Sequence, residues 1–245
     1  MDHTKDGQPL YRRILVKLSG EALQGDLGYG LDPAKLARVC QEIKQVVDLG
    51  VEVAIVIGSG NLIRGVDFYT AGMDRITADQ MGMLATVING LALQDAFTQQ
   101  SIPVKVMSAF PVPGLVEVNN TRAAREALKD GTVVIFTGGT GNPLVTTDSA
   151  AALRGIEVNA EVVLKATKVD GVFAADPIKN PKAERYKSLT YDEVIEQRLG
   201  VMDLNAIFLC RDNSLPLRVF NMNKQGALKR IMLGEDIGTL IKTGE

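Results

Sequence analysis

The sequence predicts an α/β fold built on one continuous, mainly parallel sheet with helices on both faces. Two patterns carry this expectation. Short β-branched apolar runs alternate along the chain with longer segments whose apolar residues recur at helical spacing. Three of the runs also empty into loops of small residues, as strands do at the ligand-binding edge of an open parallel sheet.

The elements follow in order. Ile14, Leu15 and Val16 form a short buried strand that ends in Lys17-Leu18-Ser19-Gly20. Residues 24–30, with Gly25, Gly28 and Gly30, read as a mobile hairpin or flap. Asp32-Pro33 is a strong helix start, a cap followed by an N1 proline, and the helix runs to Leu49 and stops at Gly50. A strand over 51–57 leads into Gly58-Ser59-Gly60-Asn61. Residues 78–97 are apolar on most sides, which predicts a helix in the core or in a subunit interface, the interface being favoured. A strand over 104–107 and a short helix over 120–128 come next.

The stretch 133–155 reads VVIFTGGTGNPLVTTDSAAALRG: a strand, a glycine loop, and a helix with an N-cap near Thr146 and a stop at Gly155. Beyond it lie a strand over 161–166, a tight turn into another at 172–173, and a capping box at Thr190-Tyr191-Asp192-Glu193. A helix capped by Asp203, a strand over 217–220, a helix over 224–232 and a last edge strand over 239–241 complete the chain. It reads as a single domain over 1–245, with residues 1–10 a flexible tail.

Composition narrows the function classes. The chain has 245 residues, 46% hydrophobic and 23% charged, with a net charge of −2, so its overall charge offers no support for nucleic-acid or anionic-membrane binding. No apolar run approaches the roughly 20 residues of a membrane span, and the polar N-terminal residues lack the apolar region of a signal peptide. Cys40 and Cys210 sit among apolar residues and suit a reduced core. The expected compartment is the cytoplasm. The single histidine, His3, lies in the polar tail, so a Ser-His-Asp triad and the common zinc sites lack their residues.

Three loops follow three strands: 17–20, 58–64 and 138–147. Glycines allow backbone N–H groups to approach a ligand closely, and a helix N-terminus offers unpaired donors and partial positive charge, so such loops suit phosphate. Lys17 and Arg64 bring positive charge; each also reads as an ordinary surface cation. Asp79 reads either as a cleft residue or as a first-turn helix charge. Asp148, at the mouth of a helix, is placed to hold a lysine or a metal-bound water. The set fits phosphoryl transfer, where catalysis is mostly positioning and charge neutralisation. An acceptor that is itself a phosphate is already ionised at neutral pH and requires no base. The P-loop pattern G-x-x-x-x-G-K-[ST] is absent, and Gly58-Ser59-Gly60 lacks the third glycine of a dinucleotide fingerprint.

KLSGEAL (17–23), GSGNLIRG (58–65), ADQMGMLAT (78–86), GGTGNPLVTTDSAA (138–151), LKATKVDGVFAADP (164–177) and RVFNMN (218–223) together resemble the amino acid kinase family, in its branch of bacterial uridylate kinases, along nearly the whole chain. The resemblance implies a three-layer α/β/α sandwich and the reaction of MgATP with UMP to give ADP and UDP in pyrimidine nucleotide biosynthesis. It also implies a cytoplasmic homohexamer with GTP and UTP as effectors. It implies that Lys17, Leu18, Ser19, Gly20, Gly60 and Arg64 lie at the ATP phosphates, and Thr167, Phe173 and Asp176 at the adenine and ribose. Ser59, Asp79 and the run Thr140, Gly141, Asn142, Pro143, Leu144, Val145, Thr146 and Thr147 fall where the family holds UMP. Lys17, Arg64 and Asp148 are the implied catalytic residues, Asp148 orienting an active-site lysine. Lys165 and Lys168 are further phosphate ligands or solvated strand-end charges. Mg²⁺ would arrive with ATP, with no direct protein ligand. Gly25, Asp26, Leu27, Gly28, Tyr29 and Gly30 form the element linked to effector response.

Three departures stand out. Family members usually have glycine at Ser59, and many have an aromatic residue at Leu144. Gln94 and Thr98 replace the positive or polar-aromatic contacts expected for a GTP response, while Lys105 keeps one charge. Two rival readings remain: a kinase of the same fold acting on a carboxylate or carbamate, and a nucleotide sensor without catalysis.

Overall fold

The structure is a computed structural model and describes residues 8–26, 28–175, 180 and 182–244. His3, Leu27 and Asp176 lie outside the described residues. A nine-stranded sheet forms the centre. Its strands are β1 (Arg13–Leu18), β2 (Glu52–Ile57), β3 (Val104–Ser108), β4 (Glu117–Val118), β5 (Val133–Thr137), β6 (Val162–Thr167), β7 (Ser188–Thr190), β8 (Leu217–Asn221) and β9 (Thr239–Lys242). They lie in the order β4-β3-β5-β2-β1-β6-β8-β9-β7. All neighbouring pairs are parallel except β8 with β9.

The helices are α1 (Pro33–Val47), α2 (Gly65–Thr70), α3 (Arg75–Gln99), α4 (Thr121–Lys129), α5 (Thr147–Glu157), α6 (Tyr191–Glu196), α7 (Leu204–Asp212) and α8 (Ala227–Met232). Alternation along the strands divides the core into two layers. Ile14, Val16, Ile55 and Ile135 point to one face, against Ile43 of α1, Phe97 of α3 and Leu228 of α8. Leu15, Ala54, Val56 and Phe136 point to the other, against Leu128 of α4, Ala151 of α5 and Cys210 of α7. A strand buried on both faces, such as β2 along its whole length, has no polar alternation, which is why its sequence reads as an uninterrupted apolar run after Glu52, a buried residue paired with Arg13. This is the three-layer α/β/α arrangement.

Many local signals act as expected. Asp32 accepts from Ala34 N and Lys35 N at the start of α1, the Thr190–Glu193 capping box is formed in both directions, and Asp203 caps α7. Cys40 and Cys210 are free and buried.

Several expectations are corrected. Gly155 does not end α5, which continues to Glu157; the left-handed turn falls at Asn159, with φ of 55°. A Cβ at Gly155 would meet Val163 at 3.0 Å and Leu215 at 3.1 Å, so the glycine serves close helix–sheet packing. The strand expected at 172–173 is a single bridge between Phe173 and Arg185. The edge strand is β7, because β9 lies between β8 and β7. Helix α3 starts at Arg75, where Asp74 accepts from Thr77 N. Helix α8 starts only at Ala227, after Gly226 with φ of 69°.

The order of strands positions the site. The chain moves from β1 to β2 on one side and later places β6 on the other, so connections diverge at β1. The crevice beyond the C-terminal ends of β1 and its neighbours is where such sheets place ligands.

Candidate active site

Register brings the first charged group together. Lys17 of β1 and Lys165 of β6 are direct partners across the parallel ladder. Paired residues on adjacent strands point to the same face, about 5 Å apart, so two ammonium groups would repel unless an anion lay between them. Asp148 supplies it from the first turn of α5. Its Oδ1 lies 2.9 Å from Lys17 Nζ, and its Oδ2 accepts from Lys165 Nζ at 2.7 Å. Lys165 also donates to the Val201 carbonyl at 2.5 Å. The three side chains are only 13–16% exposed. Burial pushes the Asp148 carboxyl up, but Lys17 and Lys165 outweigh it and hold the group below its ordinary range. Burial and the charge of Lys17 draw Lys165 down, against the pull of Asp148.

The mouth of α5 is fixed locally. Thr146 accepts from Asp148 N and Ser149 N, and a carboxylate in a first helical turn is favoured by the helix dipole. Asp203 ties this corner to α7: it accepts from Ser149 Oγ at 2.8 Å, from Thr146 Oγ1 and from Ala206 N.

A second charged group spans the cleft nearer solvent. Glu21 follows β1 on a 3-10 turn over Gly20–Ala22. It accepts from Arg64 Nη2, on the loop after β2, and from Lys168 Nζ at 2.7 Å, on the loop after β6. The hydrogen bond from Lys168, with the charges of Lys168 and Arg64, outweighs partial burial and holds the Glu21 carboxyl below its ordinary range.

Two cavities accompany these groups. One of about 250 Å³ is lined by Ser59, Asp79, Asn142, Leu144, Val145, Thr146 and Thr147, together with Arg75, Gly82, Met83, Thr86 and Gly139. It gathers most of the residues assigned to the acceptor side. Asp79 holds its wall: it pairs with Arg75 at 3.0 Å and accepts from Leu144 N at 2.9 Å. Gly138, Gly139 and Gly141 all have positive φ, as does Leu144 at 67°, and this left-handed backbone is what turns the loop over the cleft. The Leu144 side chain is exposed. The other cavity, of about 260 Å³, is lined by Ser19, Glu21, Thr167 and Lys168 and by Gly25 and Asp26, with Lys35, Arg38 and Glu42 of α1. Phe173 lies in its bridge with Arg185 and does not line this cavity.

Ser59 is accommodated without strain. Its φ is not positive, and its Oγ donates to the Ile63 carbonyl at 2.9 Å. Lys105, the charge kept on the strand after the long helix, is paired with Glu117 at 2.8 Å. Lys165 is not a solvated strand-end charge, since it is buried in the Asp148 group. Lys168 is 66% exposed and joins Glu21.

Sequence reasoning did not single out Glu21, Asn61, Thr86 or Asn89. Asn61 and Asn89 exchange amide hydrogen bonds at 3.0 and 2.7 Å. Asn61 also donates to the Gly30 carbonyl, and Asn89 to the Gly58 carbonyl. Thr86 accepts from Gly138 N at 2.6 Å. Helix α3 thus buttresses the second and third of the three loops, and Asn61 ties the second to residue 30. The legible signal was the small-residue stripe Gly82, Thr86 and Gly90, one turn apart in an otherwise apolar helix; a Cβ at Gly90 would lie 2.5 Å from Thr137.

The model of the amino acid kinase family matches residues 12–221. The chain belongs to the amino acid kinase family. Within it, the chain is 58% identical over 245 residues to the uridylate kinase of Alcanivorax borkumensis, covering 100% of this chain and 97% of that protein. It is 59% identical over 237 residues to the uridylate kinase of Pseudomonas aeruginosa PAO1, with 97% of each chain covered. Among solved structures, UMP kinase from Bacillus anthracis superposes with a TM-score of 0.93 at 43% identity, covering 96% of this chain and 97% of that one. UMP kinase from Ureaplasma parvum gives 0.89 at 35% identity, covering 95% and 99%. The sheet and its flanking helices therefore form an amino acid kinase fold.

Proposed function

We propose that this chain is a uridylate kinase that transfers the γ-phosphoryl group of ATP to UMP, giving ADP and UDP for pyrimidine nucleotide biosynthesis. The observation that carries the reading is the Lys17–Asp148–Lys165 group, accompanied by a cavity that gathers the acceptor-side residues. In this reading the backbone at Leu18, Ser19, Gly20 and Gly60 approaches the ATP phosphates. Lys17 neutralises charge on the transferring group, with Lys165 beside it. Asp148 keeps both ammonium groups aimed at the cleft; it is not a base, because the UMP phosphate oxygen is already ionised. Arg64 stabilises the charge that spreads over the phosphoryl oxygens.

Thr167, Phe173 and Asp176 serve the adenine and ribose. Ser59, Asp79 and the loop from Thr140 through Gly141 and Pro143 to Thr147 enclose UMP. Magnesium, brought in with ATP, would supply further neutralisation of phosphate charge, with no direct protein ligand in this reading. The nearby carboxylates Asp148 and Glu21 are each already shared between two cations, so the protein donors here suit phosphate. Leu84 and Ile88, each 52% exposed one turn apart on α3, fit a subunit interface, which in this reading belongs to a homohexamer. Among the described residues no helix is long and apolar enough to cross a membrane; the reading is of a single-domain enzyme of the cytoplasm. The loop Gly25, Asp26, Gly28, Tyr29 and Gly30 is the part assigned to GTP and UTP response.

The test is ADP formation with MgATP and, in parallel, UMP, CMP, acetylglutamate and carbamate. Turnover with UMP supports the reading. Turnover only with acetylglutamate or carbamate overturns its acceptor half, and nucleotide binding without turnover overturns the enzyme.

A further inference from the structure

Glu21 stands where the two exposed cations of the cleft meet, yet the mechanism above does not use it. Its backbone is fixed: Glu21 N donates to Ser19 Oγ at 3.3 Å, on the turn that closes β1. Its side chain reaches outward to Arg64 and Lys168. A Cβ built on Gly60 would lie 3.5 Å from Glu21 Cγ, 3.7 Å from its Oε1 and 3.8 Å from Arg64 Nε. The carboxylate is therefore suspended over the bare backbone of the second glycine loop. A negative charge occupies the mouth of loops whose glycines and cations suit phosphate oxygens.

We propose that Glu21 is a built-in competitor for the nucleotide's phosphates. Its carboxylate holds Arg64 and Lys168 across the cleft, gives them up to a nucleoside di- or triphosphate, and takes them back as the product leaves. The inference rests on the proposed function for the class of ligand. Exposure makes the exchange feasible. Arg64 and Lys168 are 49% and 66% exposed, and ion pairs in water are individually weak. Phosphate groups offer the same cations a more highly charged partner, met by the planar fork of Arg64 and by the point charge of Lys168. The consequence is a nucleotide affinity set below what the two cations alone would give.

The experiment is calorimetric titration of the full-length protein with ADP, comparing wild type with Glu21→Gln and Glu21→Asp. Glutamine keeps the shape and removes the charge. Its expected Kd for ADP is about three- to tenfold lower than that of wild type, the yield of freeing two weak pairs. Added salt should weaken its ADP binding more steeply, since both cations then face the phosphates alone. The KM for ATP should fall with the Kd. Aspartate, one methylene shorter, should lie between the two, and it reads the same competition should the glutamine variant not fold. An unchanged or higher Kd in the variants overturns the proposal, as does the absence of ADP binding in every form. The titrations contain no UMP, so a wild type that binds ADP but phosphorylates no UMP overturns the proposed function and leaves the competition measurable.

Discussion

Two carboxylates in this cleft are each shared by two cations, and the surroundings make them different devices. Asp148 lies between Lys17 and Lys165, all three side chains no more than 16% exposed. Glu21 lies between Arg64 and Lys168, which are about half and two-thirds exposed. Both carboxyls are held below their ordinary range. In the buried group, little solvent is available to replace a lost partner, so its geometry is fixed. In the exposed group, water and salt replace partners readily, so its members are free to exchange. The same charge count gives a permanent scaffold in one place and a replaceable clasp in the other.

The largest test of this contrast is Asp148→Asn. It leaves two buried ammonium groups without their counter-charge and should cost about 3–5 kcal/mol of stability, read by urea denaturation at pH 7. The acid limb gives the same information. Because the folded carboxyl titrates below its unfolded value of about 3.9, its contribution is complete above that pH and is lost as pH falls through the lower folded value. The wild type should therefore lose stability on acidification there more steeply than Asp148→Asn. A variant as stable as wild type would break the comparison at its buried end.

Arg64→Ala comes next and separates rate from stability. Loss of a donor to the transferring group should raise the barrier by about 3 kcal/mol, roughly a hundredfold in kcat, while the unfolding midpoint stays near that of wild type. Unchanged turnover would remove Arg64 from the chemistry. Lys165→Met is smaller: Asp148 keeps Lys17, but the Val201 carbonyl loses its donor. About 1–3 kcal/mol of stability is expected to go, again by denaturation. The smallest effect belongs to Glu21→Gln, whose unfolding free energy should change by less than about 1 kcal/mol. A loss comparable to that of Asp148→Asn would show that exposure does not divide the two groups.

Local sequence carried much of this architecture. The runs at β2 and β5, the Asp32-Pro33 start, the Thr190 capping box and the Asp203 cap are encoded within a few residues, and each formed. For Asp148 the residues alone left a lysine and a metal-bound water open; in the structure the carboxylate pairs with Lys17 and Lys165. What failed to show depends on distant chain segments. Gly155 looks like a helix stop until Val163 and Leu215 are packed against it. Strands of two or three residues, β4 and β7, exist only because a neighbour pairs with them. The pairing of Lys17 with Lys165 is a matter of ladder register between strands far apart in sequence. Glu21 meets Lys168 across 147 residues, and nothing in KLSGEAL marks its side chain as a partner for the loops opposite.

The crossed amides of Asn61 and Asn89 constrain how this protein can vary. Each amide spends one N–H on its twin and one on a loop carbonyl, and both residues are almost fully buried. Replacing either one strands groups on the other, at a cost of about 1–3 kcal/mol for each buried polar group left unmet. A joint change to apolar residues would still abandon the carbonyls of Gly30 and Gly58. Every single substitution away from the pair therefore costs stability, so the two asparagines act as one unit that pins the loop after β2 both to helix α3 and to residue 30.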